Sequence, residues 1–180
     1  RDLGDDGSTC TIVAGTRRIP VRIRAYGQHM VYAALEGAAV GIEYGLTDDE
    51  IIRGIAAYQP VGSRANVVRT ARYTVIDDCY NANPQSVTAA LEVLGRTDCE
   101  RRVAVLGDMG ELGDLTDQAH FNAGALAAML GIDFVIAIGS KAARIADGAA
   151  MSGGDVVHFA TKEEALPTVR EQLRPNTSML

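Results

Sequence analysis

Residues 74–94 read TVIDDCYNANPQSVTAALEVL, and residues 101–114 read RRVAVLGDMGELGD. Each stretch begins with an apolar run of strand length and continues into a polar loop rich in turn-forming residues. A helical pattern follows each loop. In an open α/β sheet, ligands bind beyond the carboxyl ends of the strands. We therefore predict that the two loops lie at one edge of a sheet and line a binding site.

The same alternation of strands and helices continues through the second half of the chain. The predicted strands are residues 72–77, 102–106, 134–138 and 156–160. The predicted helices are residues 86–94, with Ser86 near the N-cap, 116–130, 140–148 and 161–173. Strands that alternate with helices of this length form βαβ units. The predicted fold class is α/β: a Rossmann-like, mainly parallel sheet flanked by helices, with no strand after the last helix.

The first third of the chain has a different pattern. Residues 9–14 and 19–24 are predicted to form a hairpin of two strands. A helix is predicted at residues 29–44, with Gly45 as its stop signal. A second helix is predicted to begin at a capping box, residues 47–50, and to end before Pro60. A polar turn is predicted at residues 4–8. The pattern changes at residues 61–63, which places a domain boundary there and predicts domains at 1–62 and 63–180.

Composition narrows the class of protein. The chain has 180 residues, 47% of them apolar, and a formal net charge of −6, which argues against electrostatic binding to nucleic acid or to an anionic membrane. No apolar run reaches the roughly 18 residues that a membrane span needs. The three cysteines have no CxxC spacing, and no cluster of metal ligands stands out. We expect a cytoplasmic, monomeric protein without a nucleic-acid partner, membrane insertion or metal ligands of its own.

The first loop, residues 77–84, carries carboxylates and amides. Asp77 and Asp78 follow an apolar strand, where a carboxylate can accept hydrogen bonds from a ribose hydroxyl or from an arginine that touches phosphate. Asn81 and Asn83 both donate and accept, which suits recognition of a base or a peptide. The competing interpretation is an Asx-rich turn that caps its own backbone.

The second loop, residues 107–114, is rich in glycine but lacks the G-x-G-x-x-G spacing of a dinucleotide site. Its carboxylates, including Asp108 and Glu111, favour a cation, an amine or a ribose over an anion. Direct contact with a ligand and a structural role in orienting the loop backbone both stay open for these two residues. His120, on the helix that follows, is predicted to anchor the loop.

Residues 77–84 together with 106–113 resemble the C-terminal part of the Mur ligases, and most of all those members that add D-alanyl-D-alanine to a UDP-muramoyl-tripeptide. The resemblance implies that residues 63–180 are the C-terminal domain of such a ligase and that residues 1–62 are the tail of its central α/β ATPase domain. It also implies an activity, ATP-dependent amide ligation through an acyl phosphate in peptidoglycan precursor synthesis. The implied ligands are ATP with Mg²⁺, UDP-MurNAc-tripeptide and D-Ala-D-Ala.

The resemblance also carries roles to individual residues. The residues implied near the nucleotide are Arg64, Asp78, Tyr80, Asn81 and His29, and those near the incoming dipeptide are Asn83, Asp108 and Glu111. His29 matches a family helix start, G-x-H-N-x-x-N-A-L, whose two asparagines fall here at Met30 and Ala33. None of these residues is implied to react covalently.

Both ends of the chain are expected to be cuts through a longer protein. In the family, the P-loop, the Mg²⁺ carboxylate and a modified lysine would lie before Arg1, so most of the contacts with ATP and Mg²⁺ are expected there and the chain alone is predicted to be inactive. Three alternatives stay open: a sibling ligase that adds diaminopimelate or lysine, which usually reads D-Y-A-H-x-P in the first loop; a non-catalytic ligand-binding or interaction module; and a nucleotide-dependent oxidoreductase.

Overall fold

The computed structural model describes residues 7–59 and 61–180, without the side chain of Gln28. It divides into two compact units, Arg1–Val61 and Gly62–Leu180. The turn predicted at residues 4–8 lies mostly outside the described residues. No helix in the described part of the chain is long and apolar enough to cross a bilayer.

The first unit begins with the predicted hairpin. Strands β1 (Ser8–Ala14) and β2 (Arg17–Ile23) pair antiparallel. In β2 every second side chain is buried, because Ile19, Val21 and Ile23 face the core of this unit while the residues between them face solvent. The prediction of a hairpin with one buried face is confirmed.

Two helices complete the first unit. Helix α1 (Gln28–Glu43) is followed by Tyr44 and then by Gly45, whose φ of +77° is a conformation that glycine adopts readily, as expected for a helix stop. Helix α2 (Asp48–Ala56) begins with the predicted capping box. The hydroxyl of Thr47 accepts from the Glu50 backbone N–H, and the Glu50 carboxylate accepts from the Thr47 N–H at 2.8 Å. The backbone hydrogen bond from Thr47 lowers the pKa of Glu50 below its ordinary value.

The second unit is a mainly parallel sheet. Its strands are β3 (Asn66–Arg69), β4 (Tyr73–Asp77), β5 (Arg101–Gly107), β6 (Phe134–Ile138), β7 (Val156–Phe159) and β8 (Thr177–Met179). They are arranged in the order β3-β4-β8-β5-β6-β7, and the pairs are parallel except for the antiparallel edge pair β3–β4. The predicted α/β class is confirmed. Strand β3 was not predicted, because four half-exposed residues give too short a pattern to recognise.

Strand β8 overturns the prediction that no strand follows the last helix. It lies between β4 and β5 and is parallel to both. Thr177 and Ser178 are 0% and 2% exposed, so two of its three residues are polar although they are buried in the middle of the sheet. A polar segment of this length has no hydrophobic periodicity, which is why the sequence pattern did not reveal it.

Helices flank the sheet close to their predicted positions. They are α3 (Pro84–Arg96), α4 (Thr116–Met129), α5 (Ala143–Met151) and α6 (Lys162–Gln172). Helix α5 starts three residues later than predicted, at Ala143. Helices α4 and α5 pack with their backbones in close approach: a Cβ added to Gly124 would lie 1.9 Å from the Ile145 carbonyl oxygen, and one added to Gly148 would lie 2.0 Å from that of Phe121. Both glycines are therefore required by packing.

Candidate functional site

The two predicted loops lie at the carboxyl-terminal edge of the sheet and share one pocket. Strand β8 lies between β4 and β5 but ends beside Val75 and Val103, whereas its neighbours continue to Asp77 and Gly107. A pocket of about 520 Å³ occupies this position. Its polar lining comes from both loops, and its apolar lining comes from the sheet and the helices beside it: Val75, Val87, Val105, Ile145, Val169 and Met179. The sequence prediction that both loops contribute to one cleft is confirmed.

The first loop holds the segment that carries Arg64. The Asp78 carboxylate accepts a hydrogen bond from the Ala65 N–H at 2.8 Å, and the Tyr80 N–H donates to the Ser63 carbonyl at 3.0 Å. Ala65 has a φ of +49°, which is unfavourable for a residue with a Cβ. The Asp78 hydrogen bond therefore stabilises a strained backbone next to Arg64.

Arg64 and Tyr80 are stacked. The Arg64 guanidinium carbon lies 4.0 Å from the centre of the Tyr80 ring, within the range of a cation–π contact. Both side chains are exposed, Tyr80 by 65%. Arg64 has no carboxylate partner among the residues that the structure describes. An arginine that is held in place and not neutralised is suited to bind an anionic group such as phosphate.

The two asparagines of the first loop have different surroundings. Asn81 is exposed and lines the pocket. Asn83 does not line it and is the N-cap of α3: its side-chain oxygen accepts from the Gln85 and Ser86 N–H groups, and the Ser86 hydroxyl accepts from the Asn83 N–H. Asn83, and not Ser86, is therefore the N-cap, which corrects the sequence assignment. The side-chain oxygen of Asn83 is engaged in this cap, and its contact with substrate stays a prediction.

A buried histidine holds the second loop from below. His120 is 0% exposed, its Nε2 accepts from the Met109 N–H at 2.9 Å, and its Nδ1 lies 2.6 Å from the Thr116 carbonyl oxygen. Because a backbone N–H can only donate, Nε2 is the acceptor, and Nδ1 carries the ring proton that the Thr116 carbonyl accepts. Met109, at 1% exposure, is as buried as the histidine. His120 is thus the predicted loop anchor.

Asp108 joins the second loop to helix α5. Its Oδ1 accepts from the N–H of Ala142 at 2.7 Å, at the start of that helix. The turn after strand β6 leaves room for the Asp108 carboxylate because residue 139 is glycine. A Cβ at residue 139 would lie 2.4 Å from Asp108 Oδ1. Asp108 also lines the pocket and is exposed. The hydrogen bond to Ala142 supports its backbone-orienting role.

The remaining predicted residues lie elsewhere. Glu111 is exposed, has a φ of +59° and does not line the pocket. His29 is exposed near the start of α1 in the first unit, where its ring lies against Gly27. No group of three or more His, Cys, Asp or Glu side chains suited to a metal ion occurs among the described residues, so Mg²⁺ is not assigned to any of them.

Comparison with known proteins now identifies the family. Residues 63–180 match the family model described as Mur ligase, glutamate ligase domain. The chain belongs to the Mur ligase family. A relative from Mycobacterium leprae named UDP-N-acetylmuramoyl-tripeptide–D-alanyl-D-alanine ligase is 36% identical over 180 residues, which cover 89% of this chain and 35% of the relative.

Solved structures of Mur ligases have the same fold. A crystal structure of MurF from Acinetobacter baumannii matches with a TM-score of 0.87 and 30% identity, over 99% of this chain and 39% of that one. MurF from Thermotoga maritima in complex with ADP matches with a TM-score of 0.78 and 20% identity, over 97% and 39% of the two chains, and supports the fold alone. This Mur ligase chain therefore spans a little over a third of the length of the relatives that it matches.

Sequence reasoning missed the groups that hold the predicted side chains of this Mur ligase domain. Asp78 and Asp108 each accept from a backbone N–H, of Ala65 and of Ala142, and a backbone donor has no side-chain signal. The role of Gly139 did have a signal in the sequence, because this glycine directly follows a predicted strand. Glycine at such a position often marks the close approach of another group.

Proposed function

We propose that the full-length protein is an ATP-dependent ligase that adds D-Ala-D-Ala to UDP-MurNAc-tripeptide in the cytoplasm, as a step of peptidoglycan precursor synthesis. The family match supports the class of reaction, and the names of relatives that are 31–36% identical support the substrates. The observation that carries the proposal in this chain is the shared pocket at the sheet edge, together with an arginine that stacks on Tyr80 of the pocket lining and has no carboxylate partner among the described residues.

The proposed reaction has two steps. The tripeptide carboxylate attacks the γ-phosphorus of ATP, which gives an acyl phosphate and ADP. The ammonium group of D-Ala-D-Ala loses one proton to solvent, and the free amine attacks the acyl carbon. Inorganic phosphate leaves, and a second proton passes from the nitrogen to solvent as the amide forms. Mg²⁺, when bound with ATP, neutralises phosphate charge. Arg64 contributes a positive charge toward the phosphates, which stabilises the negative charge that develops there in the transition state.

The pocket is the proposed position of the incoming dipeptide. The Asp77 and Asp108 carboxylates in its lining favour an ammonium group, and its apolar lining suits the two methyl groups of D-Ala-D-Ala. Asn81 is a proposed polar contact with the nucleotide. Contacts of Asn83 and Glu111 with the dipeptide, and of His29 with the nucleotide, remain predictions.

The domain organisation is part of the same proposal. Residues 63–180 would be the C-terminal domain of the ligase, and residues 1–62 the last portion of its central ATP-binding domain. The full-length protein is proposed to act as a monomer, and ATP and Mg²⁺ to be bound mainly by residues outside this chain. The 180-residue chain by itself is then expected to release no phosphate from ATP above background.

A comparison of amine donors is the simplest test of the proposed function. Full-length protein is incubated with ATP, Mg²⁺ and UDP-MurNAc-tripeptide, and phosphate release and product mass are measured with D-Ala-D-Ala, meso-diaminopimelate or L-lysine as the amine. Release that depends on D-Ala-D-Ala, with a product heavier by the dipeptide minus one water, is expected. Diaminopimelate and lysine are also tested with the UDP-MurNAc-dipeptide as acceptor. If either of them supports faster phosphate release there than D-Ala-D-Ala does with the tripeptide, the protein is a sibling ligase. Failure with every donor would refute the proposed activity.

A further inference from the structure

His120 is a buried, titratable side chain that the proposed reaction does not use. It lies in helix α4 at 0% exposure and is not among the residues that line the pocket. Both of its ring nitrogens are engaged with backbone groups, Nε2 with the Met109 N–H and Nδ1 with the Thr116 carbonyl. Any effect of His120 on a substrate must therefore pass through the loop that it holds.

The peptide group that His120 holds carries Asp108 into the pocket. Met109 directly follows Asp108, and both residues line the pocket. On the other side, Asp108 Oδ1 accepts from the Ala142 N–H at 2.7 Å. The second oxygen, Oδ2, has no hydrogen-bond or ion-pair partner within the described part of the chain. One carboxylate oxygen is thus held, and the other is free to accept from a ligand.

The two helices that provide these contacts pack closely against each other. His120 belongs to α4, and the Ala142 N–H lies at the start of α5. The backbones of α4 and α5 are in contact where α4 carries Gly124, since a Cβ there would lie 1.9 Å from the Ile145 carbonyl oxygen. Closely packed elements transmit a displacement instead of absorbing it. Asp108 is therefore held between two points of one packed unit.

We infer that His120 is a positioning residue for the incoming dipeptide, acting through the Met109 N–H to direct Asp108 Oδ2 toward the ammonium group of the dipeptide. The inference rests on the proposed function, in which this pocket takes D-Ala-D-Ala. A carboxylate that is already oriented binds an ammonium group without the entropy cost of being ordered. His120 is therefore expected to affect the affinity for the dipeptide and not the affinity for ATP.

Two substitutions separate the acceptor nitrogen of His120 from the volume of its ring. His120→Phe keeps a ring but leaves the Met109 N–H without an acceptor, whereas the amide oxygen of His120→Gln can accept from it. In the full-length protein, KM for D-Ala-D-Ala is expected to rise about tenfold in His120→Phe and to stay within about threefold of the wild type in His120→Gln. KM for ATP is expected to change by less than about twofold in both variants.

The control for these kinetics is Gln118→Ala, an exposed position on the same helix, which should leave both constants unchanged. If His120→Phe does not fold, His120→Asn replaces it, because an asparagine amide is one bond too short to take the place of Nε2. An equal increase in KM for the dipeptide and for ATP in the variant without the acceptor, or no increase in either, would overturn the inference.

A double-mutant cycle tests whether His120 acts through Asp108. Asp108→Asn keeps an oxygen for the Ala142 N–H but presents no negative charge to an ammonium group, so it should raise KM for the dipeptide by itself. If His120 acts through that charge, His120→Phe has no further effect, within about twofold, in the Asp108→Asn background. An increase by the same factor in both backgrounds would mean that His120 acts independently of Asp108 and that the inference is wrong.

A measurement without catalysis keeps the inference testable if the proposed ligase activity fails. In full-length protein labelled with ¹³C-aspartate, the carboxyl carbon of Asp108, assigned with Asp108→Asn, reports on the surroundings of that carboxylate. His120→Phe is expected to shift or broaden its resonance, and His120→Gln to leave it near the wild-type position. A resonance that is the same in the wild type and in His120→Phe would refute the positioning role, whatever the enzyme's activity. Failure of the proposed function has a different sign, the absence of product with every amine donor in the wild type.

Discussion

The first and second loops line the same pocket but are held in different ways. The first loop is held by exposed groups: Tyr80 is 65% exposed and its partner Arg64 is exposed as well. The second loop is held from the interior, where the imidazole of His120 and the side chain of Met109 are 0% and 1% exposed. A contact made by exposed groups contributes little to stability and is easily rearranged, whereas a buried hydrogen bond is costly to break.

The two loops therefore have different roles in the pocket. The second loop forms a fixed wall of the pocket, and the first loop presents a cation whose position depends on weak contacts. Substitutions in the second loop should therefore lower the free energy of unfolding, and those in the first loop should lower activity with little loss of stability.

The largest effect on stability is expected at His120. His120→Ala leaves the Met109 N–H without its acceptor and leaves a cavity beneath the loop, so the free energy of unfolding should fall by about 3–5 kcal/mol. Urea denaturation measures this change. Gln118→Ala, on the same helix but exposed, serves as the control and should change stability by less than about 0.5 kcal/mol. Equal effects of the two substitutions would contradict a buried anchor.

A smaller but clear loss is expected at Gly139. This residue has a φ of +119°, and Gly139→Ala would place a methyl group against the Asp108 carboxylate and displace it from Ala142. The expected loss is about 2–3 kcal/mol. Gly110→Ala is the matched control in the same region, because a Cβ there meets no atom within 4 Å. Thermal unfolding that is the same for both variants would mean that Asp108 does not fix the second loop.

In the first loop, Asn83 should matter to stability more than Asn81 does. Asn83→Ala removes the N-cap of α3 and should cost about 1 kcal/mol, whereas Asn81→Ala removes no hydrogen bond within the described chain and should be nearly neutral. Chemical denaturation of the two variants provides the comparison. A loss at Asn81 that matches or exceeds the loss at Asn83 would contradict the assignment of Asn83 as the residue that stabilises the first loop.

The smallest effect concerns pH and compares two capping boxes. The Asn83–Ser86 box of the first loop has no ionisable group, whereas the Thr47–Glu50 box of the first unit has a carboxylate with a lowered pKa. A carboxylate whose folded pKa lies below its unfolded value stabilises the protein above the unfolded pKa, and this contribution disappears as the pH falls through the folded pKa. The stability difference between wild type and Glu50→Gln should therefore shrink below about pH 4.5. A difference that stays constant down to pH 3 would contradict the assignment.

The sequence predicted the parts of this molecule whose residues have a local signal. The capping box at Thr47, the helix stop at Gly45 and the strand at residues 134–138 follow from residue types and spacing, and all are confirmed. Strand β8 could not be predicted, because its burial results from insertion between β4 and β5 and not from apolar side chains.

For the candidate site, the sequence likewise predicted only the features that have a local signal. Two polar loops after strands of one sheet indicated a shared pocket, but the partners of Asp78 and Asp108 are backbone N–H groups that are distant in sequence. Which carboxylate orients the backbone and which meets a ligand is a question of tertiary contacts, and residue types alone leave it open.

Hydrogen exchange of the two key amides tests the contrast between the loops most directly. In the full-length protein, the Met109 N–H donates to buried His120, and the Ala65 N–H donates to the half-buried Asp78. The Met109 N–H is expected to exchange only when the domain unfolds, and the Ala65 N–H is expected to exchange faster by about two orders of magnitude or more through local opening. Equal protection of the two amides, or slower exchange at Ala65, would contradict a fixed second loop and an adjustable first one.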